Sequence, residues 1–194
     1  MISVTERQHE IMETAMRLIA DGGIQNCSIR NIASSIGVSE PAIYRHFKSK
    51  RSILSGILSN FSGGIGVSLD SLIKEKTDAM MKISSFLDEI AGLFTRKPMI
   101  ASIVFSEEIF QNDRVLADLV YSVMNRTREG IRSILSDGQK KGTVRKDVGP
   151  DQLALMVLGS LRLLVTQWRL SGHTFELAGE VKKLSGTIGK LYRK

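Results

Sequence analysis

Residues 28–47 read Ser-Ile-Arg-Asn-Ile-Ala-Ser-Ser-Ile-Gly-Val-Ser-Glu-Pro-Ala-Ile-Tyr-Arg-His-Phe, and this stretch decides how the fold is interpreted. It has the pattern of two short helices joined by a tight turn. Gly37 permits the turn, because glycine adopts left-handed backbone conformations without a steric cost. Ala33 is small where the two helices cross, and Val38 and Ile43 are placed to fill the angle between them. Each residue is common alone, but their joint spacing predicts a helix-turn-helix.

Apolar residues recur at three- and four-residue intervals along the rest of the chain, and no segment alternates as a strand does. The chain is therefore predicted to be all-α. Thr5 and Gln8 form a predicted capping box at the start of the first helix, which the glycines at 22–23 end. Serines are the predicted N-caps of the next three helices: Ser28, Ser39 and Ser49. Further helices are predicted at about 78–96, 98–110, 113–141, 150–171 and 176–192.

Three glycines, Gly63, Gly64 and Gly66, lie in the continuation of the helix that begins at Ser49. Each costs about 1 kcal/mol relative to alanine inside a helix. The helix therefore either breaks here or continues as a soft segment that acts as a hinge. A phosphate-binding glycine loop is disfavoured, because no strand precedes the glycines and no Lys-Ser/Thr pair follows them.

The chain has 194 residues and 42% apolar residues, enough for one domain or two small ones with a real core. Its net charge of +7 indicates a polyanionic partner. Only two of these charges belong to residues 1–60, so a local cluster carries more information than the total. That cluster places four basic residues within seven positions: Arg45, Lys48, Lys50 and Arg51. The basic pairs nearer the C-terminus, such as Lys140-Lys141, are interpreted as solvated surface.

Several function classes are disfavoured by residues that the chain lacks. A single cysteine, Cys27, excludes an internal disulfide, and three scattered histidines give no metal-ligand spacing. No paired nucleophile and base and no cofactor fingerprint is found, so we expect neither an enzyme nor a bound cofactor or metal. The N-terminus resembles no signal peptide, and the longest uncharged stretch of the apolar C-terminal third, Gln152–Leu161, is half a membrane span. We therefore expect a cytoplasmic protein that does not bind a membrane.

Two features have both a functional and a structural interpretation. Cys27 precedes the second helix, where a thiolate could sense redox state, but a buried structural thiol is the favoured interpretation. Glu107 and Glu108 with Asp113 could supply an acid and a base or bind a divalent ion. A solvated helix face is favoured for them, because adjacent helical residues diverge by about 100°.

The segment resembles the DNA-binding signature of TetR-type transcriptional regulators. The matching motifs are Ile32-Ala33, Gly37-Val38-Ser39, Ile43-Tyr44-Arg45-His46-Phe47 and Ser49-Lys50. This resemblance implies a three-helix DNA-binding domain at 1–48, a connecting helix at 49–73 and a helical effector-binding and dimerisation domain at 74–194. The strongly apolar helices at 150–171 and 176–192 are expected to form a homodimer interface; alternatively, they close the core of the monomer.

The residues of this segment divide into those that position the protein on double-stranded DNA and those that read its sequence. The expected phosphate contacts are Ser28, Ser39, Tyr44, His46, Ser49 and Lys50. The expected base contacts are Arg30, Glu40, Pro41, Ala42 and Arg45. Either arginine could bind a guanine bidentately, and Glu40 could accept from a cytosine amine. Alternatively, Glu40 only complements the dipole at a helix N-terminus.

The C-terminal part is rich in methionine and aromatic residues, which fill cores and also line pockets for apolar ligands. The resemblance implies an effector-binding domain, and we accordingly expect a small apolar or amphipathic effector in a pocket formed by Phe86, Phe94, Phe105, Met124, Arg162, Gln167 and Trp168. The leading hypothesis is a homodimeric repressor that an effector releases from a palindromic operator. The alternative is an architectural or partner-regulated DNA-binding protein of the same fold without a small-molecule effector.

Overall fold

The computed structural model describes residues 5–105 and 113–193. Within these residues the chain is helical and contains no strand, with one isolated bridge between Val144 and Arg193. The prediction of an all-α fold is confirmed. In chain order the helices are α1 (Glu6–Asn26), α2 (Ile29–Ile36), α3 (Glu40–Tyr44), α4 (Lys50–Lys74), α5 (Ala79–Arg96), α6 (Pro98–Val104), α7 (Arg114–Lys141), α8 (Pro150–Leu170) and α9 (Leu177–Tyr192).

The helices form two compact units. The first contains the described residues of Met1–Ser62 and Pro98–Tyr121, and the second contains those of Gly63–Lys97 and Ser122–Lys194. These units divide the chain differently from the predicted domains, because α6 and the start of α7 pack with the N-terminal helices. The reason is a shared core, in which Ile103 and Leu116 join residues of α1 and α4. Sequence order alone does not reveal such a return of the chain.

The first unit is built around α1, which packs against α2 and α6. The predicted capping box is present: the Thr5 hydroxyl accepts from the Gln8 amide, and the Gln8 side chain accepts from the Thr5 amide. Helical dihedral angles end at Gly22 and Gly23, as predicted, although one more turn extends α1 to Asn26. The sequence pattern predicts a third helix from Glu40 to residue 46 or 47, but α3 ends at Tyr44.

The α4 helix passes through all three glycines without interruption. Of the two alternatives for this segment, a broken helix and a continuous one, the structure therefore has the continuous helix. A Cβ atom at Gly63 or Gly64 would have no neighbour within 4 Å, whereas one at Gly66 would lie 2.6 Å from the Arg126 guanidinium. Arg126 also pairs with Asp70 at 3.6 Å. Of the three glycines, only Gly66 therefore lies against another side chain, the flexible end of Arg126.

In the second unit, α9 packs against α5 and α8. The spacing of Leu177, Val181, Leu184, Ile188 and Leu191 predicts an apolar packing seam along this helix. Of these residues, Leu177, Val181 and Ile188 are buried within the chain. Leu191 is 54% exposed in the single chain, whereas the neighbouring Tyr192 is buried and donates to the Leu153 carbonyl at 3.0 Å. The tyrosine ring occupies the inward position because its hydroxyl finds an acceptor there.

The α8 helix buries one side and exposes an apolar surface on the other. The exposed large apolar residues of α8 are Leu155, Met156, Leu163 and Leu170. The sequence of α8 is apolar nearly all round and predicts burial on most faces, but within one chain only one side is buried. An exposed apolar face of this kind indicates an intermolecular contact.

Two helices, α4 and α8, are long and apolar enough to cross a bilayer by length and composition. In α4 the uncharged stretch covers residues 52–69. The core helices of globular proteins pass the same test, so this property assigns neither helix to a membrane.

Candidate nucleic-acid interface

The turn of the helix-turn-helix is formed by the residues that predicted it. Ser28 caps α2 by accepting from the Asn31 amide at 3.0 Å. Gly37 ends α2 in the left-handed conformation, with φ 77° and ψ 35°, which glycine adopts without strain. Ile43 is buried in the core of the first unit, and Val38 packs against this core. These contacts hold α3 at a defined position relative to α2.

A group of polar side chains is exposed on α2 and α3. Arg30, Glu40, Tyr44 and Arg45 all face solvent. Across residues 5–105 and 113–193, none of these four side chains forms a hydrogen bond or an ion pair with the chain. Rigid helices thus present arginine, carboxylate and phenol groups that remain available to an external partner.

The other predicted contact residues lie on or near α3 and at the start of α4, and they differ in their availability. Ser39 occupies the N-cap position of α3, yet its hydroxyl makes no capping hydrogen bond. The Ser49 hydroxyl does cap α4, accepting from the Ser52 amide at 3.2 Å. Pro41 is exposed, whereas Ala42 and His46 are half-buried.

Two of the four clustered basic residues have partners inside the first unit. Lys50 is half-buried and its Nζ donates to the Ile24 carbonyl at 2.6 Å, near the end of α1. Arg51 pairs with Asp113, whose carboxylate also caps α7 by accepting from backbone amides. Among the described residues, only Arg51 of the four has its charge paired, because the Ile24 carbonyl that binds Lys50 is neutral and Arg45 and Lys48 have no side-chain partner. Charge counting in the sequence could not reveal this difference.

The remaining special residues have structural surroundings. Cys27 is fully buried between α1 and α2, and burial raises the pKa of its thiol. Glu107 and Glu108 lie outside the described residues. Within the described part of the chain, no group of three or more His, Cys, Asp or Glu residues could hold a metal ion.

The residues predicted for the effector pocket differ in their exposure. Phe86, Phe94 and Trp168 are buried in the second unit. Met124 and Gln167 are exposed and Arg162 is half-buried, while Phe105 belongs to the first unit. The second unit instead contains a pocket of about 810 Å³ that none of the seven residues lines. Sequence reasoning missed this pocket because it assigned Lys140 and Lys141, which line it, to solvated surface.

Two family profiles match the chain. The profile described as bacterial regulatory proteins, tetR family, matches residues 11–57. The profile described as YsiA-like protein, C-terminal region, matches residues 66–189. The first match includes the whole helix-turn-helix, and the second covers nearly all of the second unit.

Relatives with a similar length share about a quarter of their residues with this chain. The fatty acid metabolism regulator protein of Bacillus subtilis is 24% identical over 168 residues, which cover 87% of this chain and 86% of the relative. The nucleoid occlusion factor SlmA of Photobacterium profundum is 26% identical over 159 residues, 81% of each chain.

Solved structures share the fold. The fatty acid degradation regulator FadR from Bacillus halodurans superposes with a TM-score of 0.86 at 21% identity, covering 96% of both chains. FadR from Bacillus subtilis in complex with stearoyl-CoA gives a TM-score of 0.80 at 23% identity, covering 94% of this chain and 96% of the other.

The YsiA-like profile by itself spans more than half of the chain. The tetR-family profile adds the segment whose turn, caps and exposed polar residues are described above. The chain therefore belongs to the TetR family of bacterial regulatory proteins, and it is an all-α DNA-binding transcriptional regulator that acts as a dimer.

Proposed function

We propose that this regulator is a repressor whose two α3 helices read successive major grooves of a palindromic operator. The observation that carries the proposal is the group of exposed side chains of Arg30, Glu40, Tyr44 and Arg45, which have no partner among the described residues. Arginine and carboxylate groups distinguish base edges in the major groove, whereas a phenol hydroxyl contacts phosphate. The protein acts in the cytoplasm, where its operator is.

The effector in this proposal is an amphipathic molecule with a long acyl chain that binds the second unit. Support comes from the similarity to a fatty acid metabolism regulator and to a FadR structure that holds stearoyl-CoA. The buried aromatic residues Phe86, Phe94 and Trp168 supply apolar contacts for such a chain. The functional division remains the one expected from the sequence, with DNA binding at 1–48, a connector at 49–73 and effector binding and dimerisation at 74–194.

Release would follow from a change in the separation of the two α3 helices. Half-sites one helical turn apart lie roughly 34–36 Å from each other, so a small pivot prevents simultaneous binding. The glycines of α4 are the proposed hinge, because Gly63 and Gly64 lower the helix propensity at the boundary of the two units.

Selection of bound sequences from random duplexes tests the DNA-binding half of the proposal. We expect a palindrome with half-sites one helical turn apart. Arg30→Ala, Glu40→Ala and Arg45→Ala should each change the preferred base at a particular position, at a cost of about 1–3 kcal/mol. Arg96→Ala removes an exposed arginine of α5 in the second unit and should leave the selected sequence unchanged. Selection of an unrelated, non-palindromic pool would contradict the proposal.

Titration of the selected operator complex with stearoyl-CoA tests the effector half. Fluorescence anisotropy should report release of labelled DNA as the thioester is added, with coenzyme A alone as the control for the acyl chain. Retention of the complex at saturating thioester would favour the alternative, a partner-regulated protein without a small-molecule effector. Similarity to nucleoid occlusion factors supports that alternative.

A further inference from the structure

The pocket of about 810 Å³ lies between the C-terminal end of α4, the start of α5 and the C-terminal half of α7. All of its lining residues belong to the second unit. Its volume is within the range of about 300–1,000 Å³ that small-molecule sites occupy. Such sites are mostly apolar, whereas charged and hydroxyl side chains dominate this one, so its ligand must be polar.

The lining carries a large excess of positive charge. Its six basic residues are Lys74, Lys76, Lys82, Arg132, Lys140 and Lys141. Its two acidic residues are Glu75 and Asp137. Six positive charges minus two negative charges leave a net charge of +4 around one concave surface. Converging like charges repel one another, so an arrangement of this kind favours a bound anion.

Some of these cations are already engaged. Lys141 pairs with Asp137 at 2.7 Å, and this bond helps to hold the pKa of the Asp137 carboxyl below its ordinary value. Arg132 pairs with Glu129, which does not line the pocket, at 2.7 Å. Asp137 and Glu129 therefore each offset one positive charge.

Lys82 differs from the others because it is almost completely buried, with 3% of its surface exposed. Its Nζ donates to the Ile73 carbonyl, near the end of α4, at 3.1 Å. An ammonium group that is fixed in this way places a positive charge where solvent screens it weakly. It belongs to the wall of the pocket rather than to a mobile surface chain.

Three lysines, Lys74, Lys76 and Lys140, are exposed at the pocket. Among the described residues, none of the three has a side-chain hydrogen bond or ion pair. Their ammonium groups are therefore free to donate to a ligand. Ser133 and Ser136 add hydroxyl donors to the same lining.

Helix dipoles explain part of the charge but not most of it. Lys74 lies in the last turn of α4, and Lys140 and Lys141 lie in the last turn of α7. Each helix C-terminus is equivalent to roughly −0.5 of an elementary charge, so two ends offset about one of the four net charges. Glu129, which pairs with Arg132, offsets one more, so a net charge of about +2 remains without a counterpart.

We propose that this pocket binds the phosphate groups of a small molecule that carries two or more phosphates close together. Lysine ammonium groups and serine hydroxyls are suitable donors to phosphate oxygens, and charge-assisted hydrogen bonds of this kind are the strong ones. A free nucleoside diphosphate and the nucleotide headgroup of a coenzyme A thioester share this chemistry. The proposal concerns the anionic group only and does not require an acyl chain.

Isothermal titration calorimetry of the full-length protein at about 50 mM salt tests the proposal with pyrophosphate, ADP and coenzyme A. All three should bind, and binding should weaken as salt is raised to about 300 mM, because the pocket is open to solvent. Tighter binding of coenzyme A than of ADP would identify the headgroup of a thioester as the source of the phosphates. Equal or tighter binding of ADP would identify a free nucleotide.

The variant Lys74→Ala/Lys140→Ala should weaken binding of each probe by about tenfold or more, since a hydrogen bond to a charged group is worth at least that factor. The matched control is Lys146→Ala/Lys190→Ala, which removes the same charge from exposed lysines that do not line the pocket. Thermal unfolding of both variants separates lost binding from lost folding.

Failure of all three probes to bind the wild-type protein would overturn the proposal, as would equal weakening by the control variant. DNA is the competing polyanion. If Lys74→Ala/Lys140→Ala weakens operator binding and the control does not, these lysines serve DNA and the small-molecule site is excluded. Because the calorimetry contains no DNA, its failure would leave the proposed repressor function untouched.

Discussion

Replacing Gly63 and Gly64 by alanine should stabilise the protein, because both positions are helical and open. Neither added Cβ would meet an atom within 4 Å, so no packing has to change. Glycine is less favourable than alanine inside a helix by about 1 kcal/mol, and two independent sites should therefore add about 2 kcal/mol to the free energy of unfolding. For a protein of this size, that corresponds to an increase in Tm of roughly 4–8 °C.

Gly66→Ala provides an internal comparison within the same helix. Its Cβ would lie 2.6 Å from the Arg126 guanidinium, which must then move. The propensity gain of about 1 kcal/mol is offset by disturbance of the exposed pair between Arg126 and Asp70, which contributes less than about 1 kcal/mol. We expect a change in stability that is distinctly smaller than half of the gain in the double variant.

Urea unfolding followed by circular dichroism, at one fixed protein concentration, measures these differences in a dimer. The same double variant tests the hinge, because a stiffer α4 should raise the thioester concentration needed for DNA release while affinity for DNA without effector stays the same. A double variant less stable than the wild type would refute the helical assignment of 63–64. Unchanged release despite increased stability would refute the hinge alone.

Three further predictions concern the dimer, the buried thiol and the DNA contacts. Leu163→Asp on the exposed apolar face of α8 should give monomers in size-exclusion chromatography, because an unpaired charge buried in the dimer interface costs several kcal/mol. The control Met81→Asp, on the exposed side of α5, should leave the protein dimeric. Cys27→Ala should lower stability by about 1 kcal/mol near pH 7 in urea unfolding. Burial raises the pKa of Cys27, so the thiol loses its proton at a lower pH in the unfolded state than in the folded state. The greater stability of the wild type over Cys27→Ala should therefore shrink as the pH rises above 9.0. A stability difference that stays constant with pH would show that burial does not raise this pKa. Lys50→Ala and Tyr44→Phe should weaken DNA binding similarly for all sequences, and loss of Lys50 should reduce the salt slope by about one unit; unchanged affinity at moderate salt would show that neither residue contacts phosphate.

The features that were predicted correctly depend on local backbone chemistry. Gly37 adopts the left-handed conformation that its position requires, and Ser28 caps the helix that follows it. Pro150 lies at the start of α8, where its missing N–H has no cost. Each of these choices is determined by a few neighbouring residues, so the sequence contains the necessary information.

The features that were missed depend on contacts between distant segments. Lys50 reaches the Ile24 carbonyl, and Arg51 reaches Asp113 across 62 positions of sequence. Leu191 and Tyr192 are adjacent apolar residues, and only the position of the Leu153 carbonyl decides which of them is buried. The spacing of apolar residues along a helix cannot distinguish such alternatives, because it contains no information about which distant residues face that helix.

The amino-acid sequence alone was enough to predict the helical class and the helix-turn-helix, because turn geometry, capping and helical spacing are properties of short segments. Only the tertiary structure decided which cations are free and which are bound, that α6 packs with the N-terminal helices, and that lysines from α4, α5 and α7 surround one pocket. Packing brings together charges that lie as many as 67 positions apart, from Lys74 to Lys141. The electrostatic potential at a site depends on that convergence and not on the order of residues in the chain.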